Sequence, residues 1–228
     1  AMVILLLILW HFLGQKRAED LNNRVFLFFA VLGTADVVAE FFTNYYITSY
    51  NSDMENAAVI VTTIFYLLQA LLPVTFIFYI QTLHEQKIIS AKKMFISGVP
   101  TLVLISVILT NPFTEKLFSF DVTEGYVKGP WYLLMYVSAL GHFAVALLLI
   151  LLWRKKLGPQ KEKILLEIFV ISGVGVVLQM FCQSLLMTGF GMSLGILALF
   201  ITINNPNANL DSLTGLYNHL YLTRKMGE

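Results

Sequence analysis

Long apolar segments, separated by short polar ones, dominate this chain of 228 residues. Hydrophobic residues make up 57% of it and charged residues only 13%, whereas a soluble domain has roughly 25% charged and about 45–50% apolar residues. A soluble fold of this size could not bury so much apolar surface in one core, so we expect lipid to cover the remainder. The sequence therefore predicts an integral membrane protein whose main partner is the lipid bilayer.

The apolar segments predict an all-α fold, a bundle of seven transmembrane helices. A membrane-spanning helix needs about 20 residues at a rise of 1.5 Å per residue. The first segment is shorter, which predicts that the natural chain extends before Ala1. Lys16 and Arg17 follow this segment rather than precede it, which favours a membrane helix over a signal peptide. We expect helices at about 1–13, 24–48, 57–83, 94–111, 130–153, 164–187 and 190–204.

The positive charges predict the orientation. Thirteen of the 15 lysines and arginines fall in the connections after the first, third and fifth helices or in the C-terminal tail. The other two, Lys116 and Lys128, lie in the long connection after the fourth helix. Short loops rich in Lys and Arg stay in the cytoplasm. Seven crossings, with the N-terminus outside and the C-terminus in the cytoplasm, satisfy this distribution.

Ionisable side chains within the predicted spans indicate a candidate site. Asp36, Glu40 and Asn44 are spaced four residues apart, so they share one face of a helix. Buried charges at membrane depth are costly and need a partner or a function. Counting residues from the outer surface places polar groups of three other helices at matching depths. We therefore predict a pocket for a small-molecule signal, open to the outside and formed by Asp36, Glu40, Asn44, Gln69, His142, Gln179 and Gln183.

Two other interpretations of these residues stay open. Gln69, Gln179 and Gln183 can be ordinary interhelical hydrogen-bonding groups, which are common in membrane bundles. Asp36, Glu40 and His142 can instead form a proton relay in a transporter or channel. His142 is the expected partner of the two carboxylates, and such a pair would be sensitive to pH.

The sequence offers no catalytic constellation. Four scattered histidines and the single Cys182 do not have metal-ligand spacing, and neither a nucleophile motif nor a phosphate-binding glycine loop occurs. The last predicted helix has no lysine, which excludes a retinal-binding opsin. The aromatic residues between 111 and 129 are expected to anchor the outer loop at the membrane interface. Neither a metal site nor a nucleic-acid partner is expected.

The C-terminal tail carries the most specific motif. After a linker at 205–210, the segment from Asp211 to His219 resembles the D-x-L-T-G-L-x-N-R signature that opens the GGDEF domain of diguanylate cyclases. His219 stands where that signature has arginine. The matching residues are Asp211, Leu213, Thr214, Gly215, Leu216 and Asn218.

This resemblance implies three regions: a sensor at 1–204, the linker, and a truncated GGDEF start at 211–228. The GG[DE]EF loop is absent, so the fragment itself is expected to bind no cofactor and to catalyse nothing. The resemblance implies that the full-length protein condenses two GTP molecules into cyclic di-GMP with Mg²⁺. Cyclases of this family act as dimers, so a homodimer is an implied partner.

Residues 1–205 also resemble the seven-transmembrane sensor region at the N-terminus of some bacterial histidine kinases and cyclases. The similarity rests on Asn111-Pro112, on Leu117-Phe118 and on Gly129-Pro130-Trp131. Family members often have histidine shortly after the asparagine, where Thr114 and Glu115 stand here. The resemblance implies an extracytoplasmic or membrane-borne stimulus and leaves a histidine-kinase output as an alternative to the cyclase.

Overall fold

The computed structural model describes residues 1–14, 21–85, 91–181 and 187–203. Within these ranges the chain forms seven α-helices, with boundaries within a few residues of those predicted for most helices. A short 3₁₀ helix, Ser52–Met54, precedes the third helix. The helices are α1 (Met2–Gly14), α2 (Leu21–Thr48), α3 (Glu55–Glu85), α4 (Ala91–Thr114), α5 (Leu133–Leu157), α6 (Pro159–Phe181) and α7 (Met187–Ile203).

A β-hairpin between α4 and α5 departs from the all-α prediction. Strand β1 (Phe118–Asp121) pairs antiparallel with β2 (Gly125–Lys128). A three-residue loop joins them and closes at Gly125, whose φ of 71° suits a residue without a Cβ. Each strand has only four residues, too few to give a clear strand signal between such long apolar helices.

Helix α4 is longer than its sequence predicts. Pro112 was expected to end the helix at Asn111, yet the helix continues to Thr114. Glu115 then adopts a φ of 53° and donates its backbone N–H to the carbonyl of Asn111 over 2.8 Å. This is a left-handed C-terminal cap, a conformation that glycine usually supplies.

The helices pack side by side, with α3 against α2, α4 and α5. Helix α2 also contacts α1 and α7, and α6 packs between α5 and α7. We call the end of the molecule that carries the β-hairpin the hairpin end. The C-termini of α2 and α4 and the N-termini of α3, α5 and α7 lie there.

Two apolar cores fill the interior. The larger core occupies the half away from the hairpin end and joins α1, α2, α3, α5, α6 and α7. It includes Phe12 and Phe26, whose rings are 5.0 Å apart, and the fully buried Ile80 and Ile150. The smaller core joins α3 and α4 to Leu117, Phe118 and Phe120 of the hairpin region.

Three helices, α2, α3 and α5, are long and apolar enough to cross a membrane. Helices α1 and α7 and the second part of α4 are shorter apolar helices. Large apolar side chains also cover the outward faces of the helices: Trp10 is 81% exposed and Leu152 is 66% exposed. Exposed apolar surface on this scale is typical of a protein that contacts lipid.

Candidate functional site

Two carboxyl groups on α2 form the centre of the site. Asp36 is 0% exposed and Glu40, one helical turn later, is 4% exposed. The predicted inward face is therefore present, but its third member differs. Thr43 is buried, whereas Asn44 is half-buried, because the 3.6-residue period turns position 44 away from the axis of the stripe.

Asp36 pairs with Gln69 of α3, as its depth in the sequence predicted. The amide nitrogen of Gln69 lies 3.1 Å from each carboxylate oxygen of Asp36. The long Gln side chain reaches across the α2–α3 contact, and its amide nitrogen donates a hydrogen bond that the two carboxylate oxygens share. This bond connects the two helices at the middle of the molecule.

Glu40 is held by α7. The hydroxyl of Thr188 donates a hydrogen bond of 2.9 Å to Oε1 of Glu40, and the other oxygen lies against the Cα of Gly189. A side chain at Gly189 would collide with this carboxyl group and with Val37. Glycine at this position lets α7 approach the carboxylate closely, a feature that the sequence did not indicate.

His142 does not pair with the carboxylates, so the predicted His–Asp pair is wrong. Its Nδ1 lies 2.7 Å from the backbone oxygen of Ser138, and its Nε2 lies 2.9 Å from the hydroxyl of Thr101. A carbonyl can only accept, so Nδ1 carries a proton and donates it to Ser138, while Nε2 and the hydroxyl of Thr101 share a second hydrogen bond. His142 therefore connects α5 to α4.

The remaining predicted side chains lie outside the part of the chain that the structure describes. The side chain of Gln179 and the whole of Gln183 fall outside the described residues. The motif from Asp211 to Asn218 also lies outside them.

A cavity of about 70 Å³ lies in front of the carboxylates, between α3, α4, α5 and the start of α7. Gln69 and Thr188, the two residues that hold the carboxylates, both line it. Each carboxyl group is therefore one side chain removed from the cavity. The polar or phenolic residues in its wall are Tyr66, Gln69, Tyr132, Tyr136, Ser138 and Thr188.

Pro73 adds an unusual polar group to this wall. It lies inside α3 and lines the cavity. Proline has no N–H, so the carbonyl oxygen of Gln69, four residues earlier, lacks its helical donor. The carbonyl that lacks its helical donor therefore belongs to a residue that lines the cavity.

The β-hairpin connects to the cavity through a pair of tyrosines. The hydroxyl of Tyr66 in the cavity wall lies 2.7 Å from the hydroxyl of Tyr126 in β2. Burial raises the pKa of Tyr126, so its phenol stays neutral. Phe118 and Phe120 of β1 are buried in the smaller core, 1% and 8% exposed. They therefore do not anchor the hairpin at an interface as predicted.

Asn111 fastens the hairpin to α4. Its amide nitrogen donates to the carbonyl of Phe118 over 2.9 Å, and its Oδ1 accepts the N–H groups of Leu117 and Phe118. Asn111 is 1% exposed. Asn111 is one of the residues on which the family resemblance rests. Its contacts indicate a structural role, because they hold the hairpin against α4.

The fold and the site define a helical protein with three helices suited to crossing a membrane and a buried acidic site beside a cavity. Among the described residues, no group of histidine, cysteine and acidic side chains is arranged to hold a metal ion. No protein-family model, no curated protein and no solved structure matches the chain.

Proposed function

We propose that this chain is the membrane sensor of a signalling protein and that the cavity at the hairpin end receives the signal. One observation carries the proposal. The cavity wall contains Gln69 and Thr188, which hold the buried carboxylates Asp36 and Glu40. A ligand in the cavity that weakens either hydrogen bond changes how α2 packs against α3 or α7.

The proposed topology has seven crossings, with the hairpin end outside the cell and the opposite end in the cytoplasm. The distribution of lysines and arginines along the sequence supports it. The exposed apolar faces of the helices and the membrane-spanning lengths of α2, α3 and α5 agree with it. The inner membrane of a bacterium is the proposed location.

Helix α7 is the proposed output element. Thr188 and Gly189 contact the carboxylate site near its start, and the helix runs to Ile203, next to the linker at 205–210. A ligand shifts a two-state protein only by binding one state more tightly than the other. Here the two states would differ in whether α7 keeps its hydrogen bond and its close contact with Glu40.

The proposed output is a diguanylate cyclase that follows the linker. This part rests on the resemblance of Asp211–Asn218 to the start of a GGDEF domain, with GTP and Mg²⁺ as the requirements of the full-length enzyme. A histidine kinase is the alternative output. A GG[DE]EF sequence encoded downstream of Glu228 would favour the cyclase, and a kinase core there would replace it.

A proton-coupled transporter or channel is the second candidate, because buried carboxylates on α2 are typical of proton relays. The larger apolar core argues against a transporter or channel. Phe26, Phe29, Phe76 and Ile80 fill the half of the molecule that a proton would have to cross. Proteoliposomes with a pH-sensitive dye inside distinguish the two functions, since a sensor conducts no protons above the rate of empty vesicles.

The functional test uses the full-length parent protein in a bacterial host that lacks its own cyclases. Replacing Thr188 by Val or Gln69 by Leu should change cellular cyclic di-GMP severalfold, while Glu167→Gln, at an exposed position on α6, should not. Equal protein levels on a membrane immunoblot make the comparison valid. Unchanged cyclic di-GMP in both site variants would contradict a signalling role for the cavity.

A further inference from the structure

The chemistry of the cavity wall selects one class of ligand. Several polar groups of the wall are already hydrogen-bonded within the protein. The amide of Gln69 donates to Asp36, the hydroxyl of Thr188 donates to Glu40, and the hydroxyl of Tyr66 pairs with that of Tyr126. None of the described residues that line the cavity is a lysine, an arginine or a histidine.

Beside the hydroxyls of Tyr132, Tyr136 and Ser138, the wall presents electron-rich groups. The backbone oxygen of Gln69 lacks its helical donor because of Pro73. The rings of Phe65, Tyr66, Tyr132 and Tyr136 line the cavity, and aromatic faces attract cations.

The buried acidic residues next to the cavity also favour a cation as the ligand. Asp36 is fully buried and, among the described residues, the charged group that acts on it is another acid, Glu40. Buried charges in proteins are normally neutralised by a partner of opposite sign or by protonation. A cation in the cavity would be separated from Asp36 by the single side chain of Gln69.

We propose that the cavity binds a small organic cation with an ammonium head group. This inference rests on the proposed sensor function and names the chemical class of its signal. The ammonium lies against the tyrosine rings, its N–H or polarised C–H groups face the Gln69 carbonyl, and Asp36 supplies the compensating charge. The cavity of about 70 Å³ limits the buried part of the ligand to a few heavy atoms.

The protein already places an ammonium group on one of these rings. Nζ of Lys128 lies 4.8 Å from the ring centroid of Tyr132. Lys128 is exposed, so its charge is screened by solvent. It nevertheless competes with a ligand for the same ring and repels a second cation, so its removal should strengthen binding.

The test measures binding to this chain in lipid nanodiscs by isothermal titration calorimetry, independently of any cyclase output. The probes are methylammonium, tetramethylammonium, choline and dimethylbutanol, the neutral carbon isostere of choline. At least one of the three ammonium probes should bind, and choline or tetramethylammonium should bind at least about tenfold more tightly than dimethylbutanol, a difference of about 1.4 kcal/mol.

Substitutions test which residues are responsible for the preference for a cation. Asp36→Asn, which is nearly isosteric, should remove the preference for the cation, and Tyr136→Leu should weaken every ammonium probe severalfold. Lys128→Gln should strengthen binding, and Glu167→Gln should leave it unchanged. Circular dichroism and gel filtration of each variant verify that it is folded.

Three outcomes would overturn the proposal: equal binding of choline and its neutral isostere, a cation preference that survives in Asp36→Asn, or no binding of any ammonium probe at the highest soluble concentration. These outcomes concern the ligand class. The sensor function fails separately, when substitutions at Gln69 and Thr188 leave cyclic di-GMP unchanged in the full-length protein.

Discussion

At the scale of the residue, the site depends on how each polar group is partnered. Asp36 and Gln69 are joined by two contacts of 3.1 Å. Their hydrogen bond, in addition to packing, holds the two side chains in place. A buried carboxylate without its donor costs more free energy than a neutral amide in the same place.

Substitutions at this pair should therefore have opposite effects. Gln69→Leu leaves the carboxylate of Asp36 without its amide donor and should destabilise the protein by about 1–3 kcal/mol. Asp36→Asn keeps a hydrogen bond to Gln69 and removes the repulsion from Glu40, so the melting temperature should stay equal or rise. Thermal unfolding in nanodiscs measures both, and an Asp36→Asn variant as unstable as Gln69→Leu would contradict the interpretation.

Glu115 should gain stability when it is replaced by glycine. Its φ of 53° is in the left-handed region that costs a side chain roughly 1 kcal/mol. Glu115 is exposed, so little packing is lost. Glu115→Gly should raise the free energy of unfolding by about 0.5–1 kcal/mol, whereas the control Thr114→Gly, inside α4, should lower it. A loss of stability in both variants would exclude strain at Glu115.

At the scale of the element, close approach of α7 to α2 is a defining feature. Gly189 lies against Glu40, and Gly33 of α2 lies against Ile196 of α7. A Cβ at either glycine would require the end of the facing side chain to move, so the two helices approach closely at two levels. The β-hairpin is the second such feature, fastened by Asn111 and by the Tyr66–Tyr126 hydrogen bond.

The α2–α7 contact can be tested with a pair of glycine substitutions. Gly189→Ala should destabilise the protein by about 1–3 kcal/mol, because the new methyl group displaces the carboxyl group of Glu40. Gly141→Ala in α5 meets no atom within 4 Å and should be neutral or stabilising, since alanine favours the helix. Chemical denaturation of both variants gives the difference, and equal effects would argue against a close contact.

The hairpin turn should respond to acid through Asp121. The hydroxyl of Thr123 and the N–H groups of Thr123 and Glu124 donate to its carboxylate, which lowers the pKa of Asp121. This contribution to stability is present above the unfolded pKa of about 3.9 and is lost as the pH falls through the lower, folded value. The protection of the amides of Thr123 and Glu124 against hydrogen exchange, relative to the intrinsic rate at each pH, should fall there, and Asp121→Asn should abolish that pH dependence.

At the scale of the whole molecule, the two ends differ in character. The half away from the hairpin is filled by apolar side chains of six helices. The hairpin end contains the cavity, the carboxylates and the aromatic hairpin. This asymmetry suits a protein that receives a signal at one end and transmits a change in packing to the other.

The proposed orientation predicts which positions are labelled from outside the cell. In a Cys182→Ser background, a cysteine at Thr123 in the hairpin turn should react with a membrane-impermeant maleimide on intact cells. A cysteine at Lys161, near the start of α6, should react only after permeabilisation. Labelling of both positions in intact cells, or the reverse order, would contradict seven crossings with the C-terminus inside.

The amino-acid sequence by itself determined the helical character, the approximate helix boundaries and the inward face that carries Asp36 and Glu40. These features follow from local hydropathy and from the fixed period of the helix. The sequence also placed Gln69 and His142 at the depth of Asp36, and of these two only Gln69 pairs with it.

The tertiary structure decided which side chains meet. The rotation of each helix about its own axis directs His142 to Thr101 instead of Asp36, and brings Thr188 to Glu40. Rotation and close approach depend on the packing of several helices at once, as at Gly189, and leave no trace in the hydropathy of one segment. The hairpin could not be predicted for the same reason. Its aromatic residues are buried by α3 and α4, and only the tertiary structure brings these helices together.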